Sequence, residues 1–88
     1  MKLIRISAIW CSSCIITYKD WNKLKESYPN YEYNEYDYDM DTDIVEKYNV
    51  GNTIPVVIAI KDDTEIGRII GEKNYKELDT WIKEVTNI

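Results

Sequence analysis

The two cysteines of this chain, Cys11 and Cys14, lie three residues apart behind Trp10, in the stretch WCSSC. A pair at this spacing can form a structural disulfide, supply half of a metal site or act as a redox-active dithiol. A structural disulfide would close a very short loop, which on the chain-entropy model constrains the unfolded state only weakly. A closed zinc site usually needs four ligands, and the chain has no histidine and no third cysteine. Carboxylates or a second chain would have to complete such a site, so the pattern favours redox chemistry.

The redox interpretation depends on the elements that hold the pair. Residues 2–9 (KLIRISAI) are predicted to form a buried strand, and the apolar spacing from 11 to 28 predicts a helix. Cys11 therefore falls where a strand ends and a helix begins, and the N-terminal end of a helix stabilises a thiolate. Cys14, one helical turn further on, is placed to attack a mixed disulfide formed at Cys11. We expect Cys11 to be the accessible thiol of low pKa and Cys14 to be the buried one.

The remaining elements predict one small α/β domain over residues 1–88, with the order βαβαββα and a parallel first βαβ unit. Further strands are predicted at 31–38, 54–60 and 65–70, and further helices at 41–48 and 75–85. Asn74 and Glu77 have the spacing of a capping box before the last helix. Helical periodicity predicts that the following side chains face the core: Ile15, Tyr18, Trp21, Leu24 and Tyr28 in the first helix, Ile44, Val45 and Tyr48 in the second, and Tyr75, Leu78, Ile82 and Val85 in the last.

Composition limits the classes of partner. Eleven Lys and Arg against sixteen Asp and Glu give a net charge of −5, which argues against nucleic acid or anionic lipid, since phosphate binding requires clustered basic residues. No apolar run approaches the roughly 20 residues that span a bilayer, and no targeting segment is recognised. We therefore expect a cytoplasmic protein, and in a reducing cytosol a lone cysteine pair is more often catalytic or metal-binding than structural.

Three features together resemble the thioredoxin family. They are the WCSSC stretch at 10–14, the Thr-Ile-Pro stretch at 53–55 that opens the next core strand, and Gly71 after the final strand. The resemblance extends over essentially the whole chain, as a minimal version with only ten residues before Cys11. It implies a minimal thioredoxin-like fold with a four-stranded mixed sheet and helices on both faces. It also implies a cis peptide bond before Pro55, where the residues alone would favour an ordinary proline at the start of a strand.

The resemblance further implies a thiol–disulfide oxidoreductase that reduces protein disulfides, with Cys11 and Cys14 as catalytic residues. Its redox group would be the Cys11–Cys14 disulfide, with no metal or other cofactor. Its partners would be disulfide-containing proteins and a reductase or small thiol that donates electrons, and the protein would be monomeric. Substrate would bind along the residues Trp10, Thr53, Ile54, Pro55 and Gly71. A glutathione-dependent glutaredoxin, favoured by length, and a non-catalytic binding module that holds metal through the two cysteines are the alternatives.

Two departures from the family pattern bear on tuning of the thiols. Ser12 and Ser13 stand where thioredoxins carry Gly-Pro, and they either donate hydrogen bonds to a thiolate or simply suit the start of a helix. Arg5 stands where thioredoxins carry a buried aspartate that helps to deprotonate the resolving thiol. One hypothesis pairs Arg5 with Glu35 or Asp37 on the second strand, and the other leaves it partly in solvent with its stem covering the sheet.

Overall fold

The computed structural model describes residues 1–86, and the last two residues of the predicted domain lie outside the described part. In chain order the elements are β1 (Lys2–Ser7), α1 (Ser12–Ile16), α2 (Tyr18–Ser27), β2 (Glu32–Asp37), α3 (Thr42–Lys47), β3 (Val56–Lys61), β4 (Thr64–Ile70) and α4 (Tyr75–Thr86). The strands lie in the order β2-β1-β3-β4, with β1 parallel to β2 and antiparallel to β3, and β3 antiparallel to β4. The predicted four-stranded mixed sheet is confirmed.

Helices cover both faces of this sheet, because successive residues of a strand point to opposite sides. On β1, Ile4 and Ile6 belong to one buried cluster, and Leu3 belongs to the other. Ile44, Val45 and Tyr48 of α3 pack half-buried against the first cluster. The second cluster contains side chains of α2 and α4, namely Trp21, Leu24, Leu78, Trp81, Ile82 and Val85. The predicted layer arrangement is therefore confirmed.

The single helix predicted from 11 to 28 is wrong, because the chain is interrupted at Thr17 and forms α1 and α2. In a continuous helix the Cys14 carbonyl would accept from the Tyr18 N–H. Here it accepts from the guanidinium of Arg5, at 2.7 Å. A side chain inserted into the ladder of backbone hydrogen bonds is an established cause of a break in a helix.

The break also explains why two side chains predicted to face the core do not. Ile15 is 65% exposed and Tyr18 is 46% exposed, whereas Trp21 and Leu24 of α2 are buried as predicted. Tyr28 follows α2 and is half-buried. The apolar spacing of the segment therefore combines core positions in α2 with surface positions in α1.

In the last helix, Leu78, Ile82 and Val85 are buried as predicted, but Tyr75 is only half-buried. Trp81 of the same helix is also buried. The predicted capping box is present, because the Glu77 N–H donates to Asn74 Oδ1 at 2.9 Å and the Asn74 N–H donates to Glu77 Oε1 at 3.4 Å.

Strand β4 is held against α4 by a close approach at Gly67. A Cβ added there would lie 2.8 Å from Cγ1 of Val85, a β-branched side chain with little freedom to move away. We therefore expect Gly67→Ala to lower the free energy of unfolding by about 1–3 kcal/mol, the usual cost of overpacking. Urea unfolding measures the free energy of unfolding of the variant and of wild type. The matched control is Gly51→Ala, where an added Cβ has no atom within 4 Å; equal stability of the two variants would contradict the packing argument.

Candidate active site

The two cysteines form a disulfide just beyond the carboxyl end of β1, with their Cα atoms 5.2 Å apart. Cys11 is the N-terminal cap of α1, and its backbone N–H donates to Ala8 O at 3.2 Å, which joins the helix start to the strand. The Sγ of Cys11 accepts from the Cys14 N–H at 3.1 Å. A hydrogen bond to sulfur from a backbone N–H favours the thiolate when the pair is reduced.

The expected contrast in accessibility between the two cysteines is small. Cys11 is 7% exposed and Cys14 is 3% exposed, so both are buried in the disulfide form. The Sγ of Cys11 lies 3.7 Å from the carbonyl oxygen of Ile54, which closes over it from the loop before β3.

The three residues predicted at 53–55 and Gly71 lie together next to Cys11. The Ile54–Pro55 peptide bond is cis, and both residues are buried, while Thr53 is exposed. The Gly71 N–H donates to Pro55 O at 2.8 Å. Gly71 has a φ of 93°, a conformation that glycine adopts at little cost. The structure thus brings Thr53, Ile54, Pro55 and Gly71 to one edge of the disulfide.

Trp10 lies on the surface beside Cys11, and its indole is 60% exposed. Its Nε1–H donates to Asp39 Oδ2 at 2.6 Å, and its ring packs edge-on against Tyr38, with centroids 6.3 Å apart. The loop after β2 thus holds the exposed indole of Trp10 in one orientation.

No pattern in the sequence predicts a role for Asp39. It belongs to the acidic run DYDMDTD, where nothing distinguishes it from its neighbours until the fold brings this loop to Trp10. Asp37 shapes the loop, because its Oδ1 accepts from the N–H groups of Asp39 and Met40.

Arg5 is buried, with 4% of its surface exposed, so the expectation of a partly solvated side chain is wrong. Its Nη2 donates to the Cys14 carbonyl at 2.7 Å, and its guanidinium carbon lies 5.5 Å from the centre of the Tyr18 ring. The proposed ion pair is also wrong, since within residues 1–86 no carboxylate oxygen lies within 4.0 Å of the guanidinium; Glu35 instead lies 3.9 Å from Lys25 Nζ. Burial lowers the pKa of Arg5 from its ordinary value, while the charge of Glu35 and the Tyr18 hydroxyl act in the opposite direction.

Ser12 and Ser13 occupy the first turn of α1, where Ser12 is exposed and Ser13 is half-buried. The Ser13 carbonyl accepts from the Thr17 hydroxyl at 2.6 Å. This contact involves the backbone of Ser13, and the role of the Ser12 and Ser13 hydroxyls stays a prediction.

Within 1–86, no group of three or more histidine, cysteine, aspartate or glutamate side chains is placed to hold a metal ion. Among the described helices, none has the length and apolar character needed to cross a membrane.

A disulfide at a strand–helix junction, next to a proline loop on a mixed four-stranded sheet, defines a protein of the thiol–disulfide redox class. The family model for thioredoxin matches residues 1–84. The chain therefore belongs to the thioredoxin family, and its Cys11–Cys14 pair supports a thioredoxin-like redox function. A search of curated proteins found no match.

Solved structures agree with this assignment. Oxidised mitochondrial thioredoxin 3 of Saccharomyces cerevisiae is 31% identical, with a TM-score of 0.84 over 94% of this chain and 76% of that one. Thioredoxin of Fasciola hepatica is 26% identical, with a TM-score of 0.85 over 94% and 78%. Thioredoxin of Trypanosoma brucei brucei shares the fold at 22% identity, with a TM-score of 0.87 over 99% and 75%.

The Trp10–Asp39 contact generates a test of the site surface. In Asp39→Ala the indole loses its acceptor, so we expect the Trp10 Nε1–H resonance to shift upfield and to exchange faster with solvent. The resonances of Trp21 and Trp81 should stay in place, since their rings are buried elsewhere. Asp39→Asn keeps an acceptor oxygen and should give a smaller change. The measurement is NMR of the indole N–H protons in wild type and both variants. An unchanged Trp10 signal in Asp39→Ala would show that the contact does not persist in solution.

Proposed function

We propose that this protein is a thiol–disulfide oxidoreductase that reduces disulfide bonds in protein substrates. The observation that carries the proposal is a redox-capable disulfide surrounded by exposed apolar side chains. Monomeric proteins seldom expose contiguous apolar surface without a binding role. The exposed side chains next to the pair are Ile9, Trp10 and Ile15, and Met40 and Ile70 are exposed on the loops around them.

Ile9, Trp10 and Ile15 lie next to the cysteines, whereas Met40 and Ile70 neighbour residues of the surrounding loops. Ile9 and Ile15 line one cavity together with Cys14. Met40 follows the aspartate that holds Trp10, and Ile70 precedes the glycine that bonds Pro55. A surface of this kind suits an apolar peptide segment on either side of a substrate cysteine better than a small, highly polar thiol such as glutathione.

In the proposed reaction the Cys11 thiolate attacks one sulfur of the substrate disulfide and releases the other as a thiolate. Cys14 then attacks Cys11 Sγ, which releases the reduced substrate and forms the Cys11–Cys14 disulfide. Thr53 lies outside β3 and is exposed, so its backbone is free to pair with an extended substrate segment. A reductase or a small thiol then returns two electrons to the Cys11–Cys14 pair. We place this cycle in a monomer in the cytoplasm, where the environment is reducing.

The direct test is the reduction of insulin by dithiothreitol, with and without the protein. We expect wild type to accelerate the reaction and Cys11→Ser to leave it at the uncatalysed rate, because that variant lacks the attacking thiol. Absence of acceleration, together with stoichiometric zinc in the purified sample, would instead favour the metal-holding binding module. Turnover with glutathione and glutathione reductase, but not with a thioredoxin reductase, would favour the glutaredoxin alternative.

Variants of the single cysteines separate the two thiol roles. Cys14→Ser should accumulate covalent complexes with substrate proteins, because the mixed disulfide at Cys11 has no intramolecular exit. Cys11→Ser, its matched control, should trap none. Non-reducing electrophoresis followed by mass mapping of the cross-linked cysteine gives the result, and equal trapping by both variants would contradict the assignment of Cys14 as the resolving thiol.

A further inference from the structure

Arg5 places a full positive charge against the resolving cysteine. Its guanidinium donates to the carbonyl of Cys14, and a carbonyl oxygen is only a few covalent bonds from the sulfur of its own residue. Both residues also line the same cavity of about 260 Å³. A guanidinium stays protonated at any working pH, so this charge is present whichever state the thiols are in.

Within the described part of the chain, the charged side chains around Arg5 do not form an ion pair with its guanidinium. Glu35 and Asp37 of β2 and Tyr18 of α2 line the cavity with Arg5 and Cys14. Glu35 is partly solvent-exposed and lies next to Lys25, and Asp37 Oδ1 accepts two backbone N–H groups of its own loop.

The other elements packed against Arg5 bring one further charge, which is positive. Lys73, before α4, lines a second cavity that Arg5 also borders. The residues that β3 and α4 contribute to this second cavity are apolar: Val57 and Leu78. The charge hydrogen-bonded to Cys14 is therefore positive, and the carboxylates of Glu35 and Asp37 oppose it from the side of β2.

We propose that Arg5 is a positioning residue for the resolving step, whose buried charge stabilises the Cys14 thiolate and with it the reduced protein. This inference rests on the proposed oxidoreductase function. A nearby opposite charge favours the ionised form of a titratable group, and low exposure limits the screening of that charge by solvent.

In the resolving step the Cys14 proton has already passed to water, because Arg5 cannot accept it. The Cys14 thiolate attacks Cys11 Sγ, the Cys11–Cys14 bond forms and the bond between Cys11 and the substrate sulfur breaks. The electron pair leaves with that sulfur, which takes a proton from solvent. The cysteine pair is oxidised by two electrons and the substrate disulfide is reduced to two thiols. The charge of Arg5 thus keeps Cys14 in the ionised, nucleophilic form, a task that a general base would otherwise perform.

The same charge makes the protein a weaker reductant. A group that stabilises the thiolate stabilises the reduced form relative to the disulfide, which carries no charge on sulfur. This stabilisation of the reduced form requires an ionised thiol. It is therefore complete at pH values above the thiol pKa values and disappears when the pH falls below them.

The test compares Arg5→Met, which removes the charge at similar size, with Arg5→Lys, which retains it. Arg68→Met is the matched control, because Arg68 is already paired with Glu65 at 2.6 Å. Thiolate absorbance is titrated against pH in a Cys11→Ser background, so that Cys14 alone is observed. The equilibrium of each two-cysteine variant with glutathione is measured at several pH values.

We expect Arg5→Met to lower the thiolate-to-thiol ratio of Cys14 about tenfold near neutral pH. At pH values above the Cys14 pKa, its glutathione equilibrium should move about tenfold towards the disulfide, or about 30 mV for two electrons, and this difference should vanish at low pH. Arg5→Lys should recover most of the wild-type behaviour, and Arg68→Met should match wild type. Glu35→Gln removes an opposing charge at a partly exposed site, so it should raise the thiolate fraction even if Arg5→Met fails to fold.

Superimposable Cys14 titrations for wild type and Arg5→Met would overturn the inference. A shift in the glutathione equilibrium that is the same at all pH values would overturn it as well, since that would indicate a structural effect on the disulfide. Neither measurement uses a protein substrate. If insulin reduction fails while the Cys14 titrations shift as expected, the proposed function is wrong and the electrostatic role of Arg5 stands.

Discussion

The pairing of β1 on both of its edges is the constraint on which the site depends. β1 is hydrogen-bonded to β2 on one side and to β3 on the other, in a register that sets Arg5 opposite Glu35 and Val57. Its carboxyl end therefore cannot shift without breaking two ladders. The chain leaves that end, turns through Ala8 and reaches Cys11, the N-terminal cap of α1. The position of the first sulfur is therefore set by the central strand of the sheet. The loop before β3 reaches the same place, because β3 is antiparallel to β1 and therefore begins beside the carboxyl end of β1.

Tyrosines help this small chain to enclose its sheet. A domain of this size buries a smaller share of its surface than a larger one. Over the face that packs against the short helix α3, Tyr36, Tyr38 and Tyr48 lie half-buried on the apolar cluster. Each ring adds a large apolar area while its hydroxyl stays at the surface; the Tyr38 hydroxyl, for example, donates to Gly51 O. Tyr38 also supports Trp10, so the covering of this face extends to the rim of the site.

The interaction between Arg5 and Cys14 connects the fold with the chemistry. A buried charge is costly unless hydrogen bonds satisfy it, and Arg5 obtains one from a carbonyl that a continuous helix would have occupied. The interruption at Thr17 thus provides the acceptor for the guanidinium, and it also turns Ile15 outward beside the disulfide. One local conflict between helix geometry and a buried cation therefore shapes both the electrostatics and the apolar surface of the site.

Local patterns in the sequence predict the element order, the two cysteines at a strand–helix junction and the cap at Asn74 and Glu77. These features rest on local periodicity and short-range hydrogen bonding, which a linear pattern records. The burial of Arg5, the split of the first helix and the contact of Asp39 with Trp10 depend on tertiary contacts that no local pattern predicts. Each of these joins residues distant in the chain, and one of several similar polar side chains is selected only when strands and loops come together. An arginine within an apolar strand is compatible with solvent exposure and with burial, and the choice here depended on a carbonyl nine residues away.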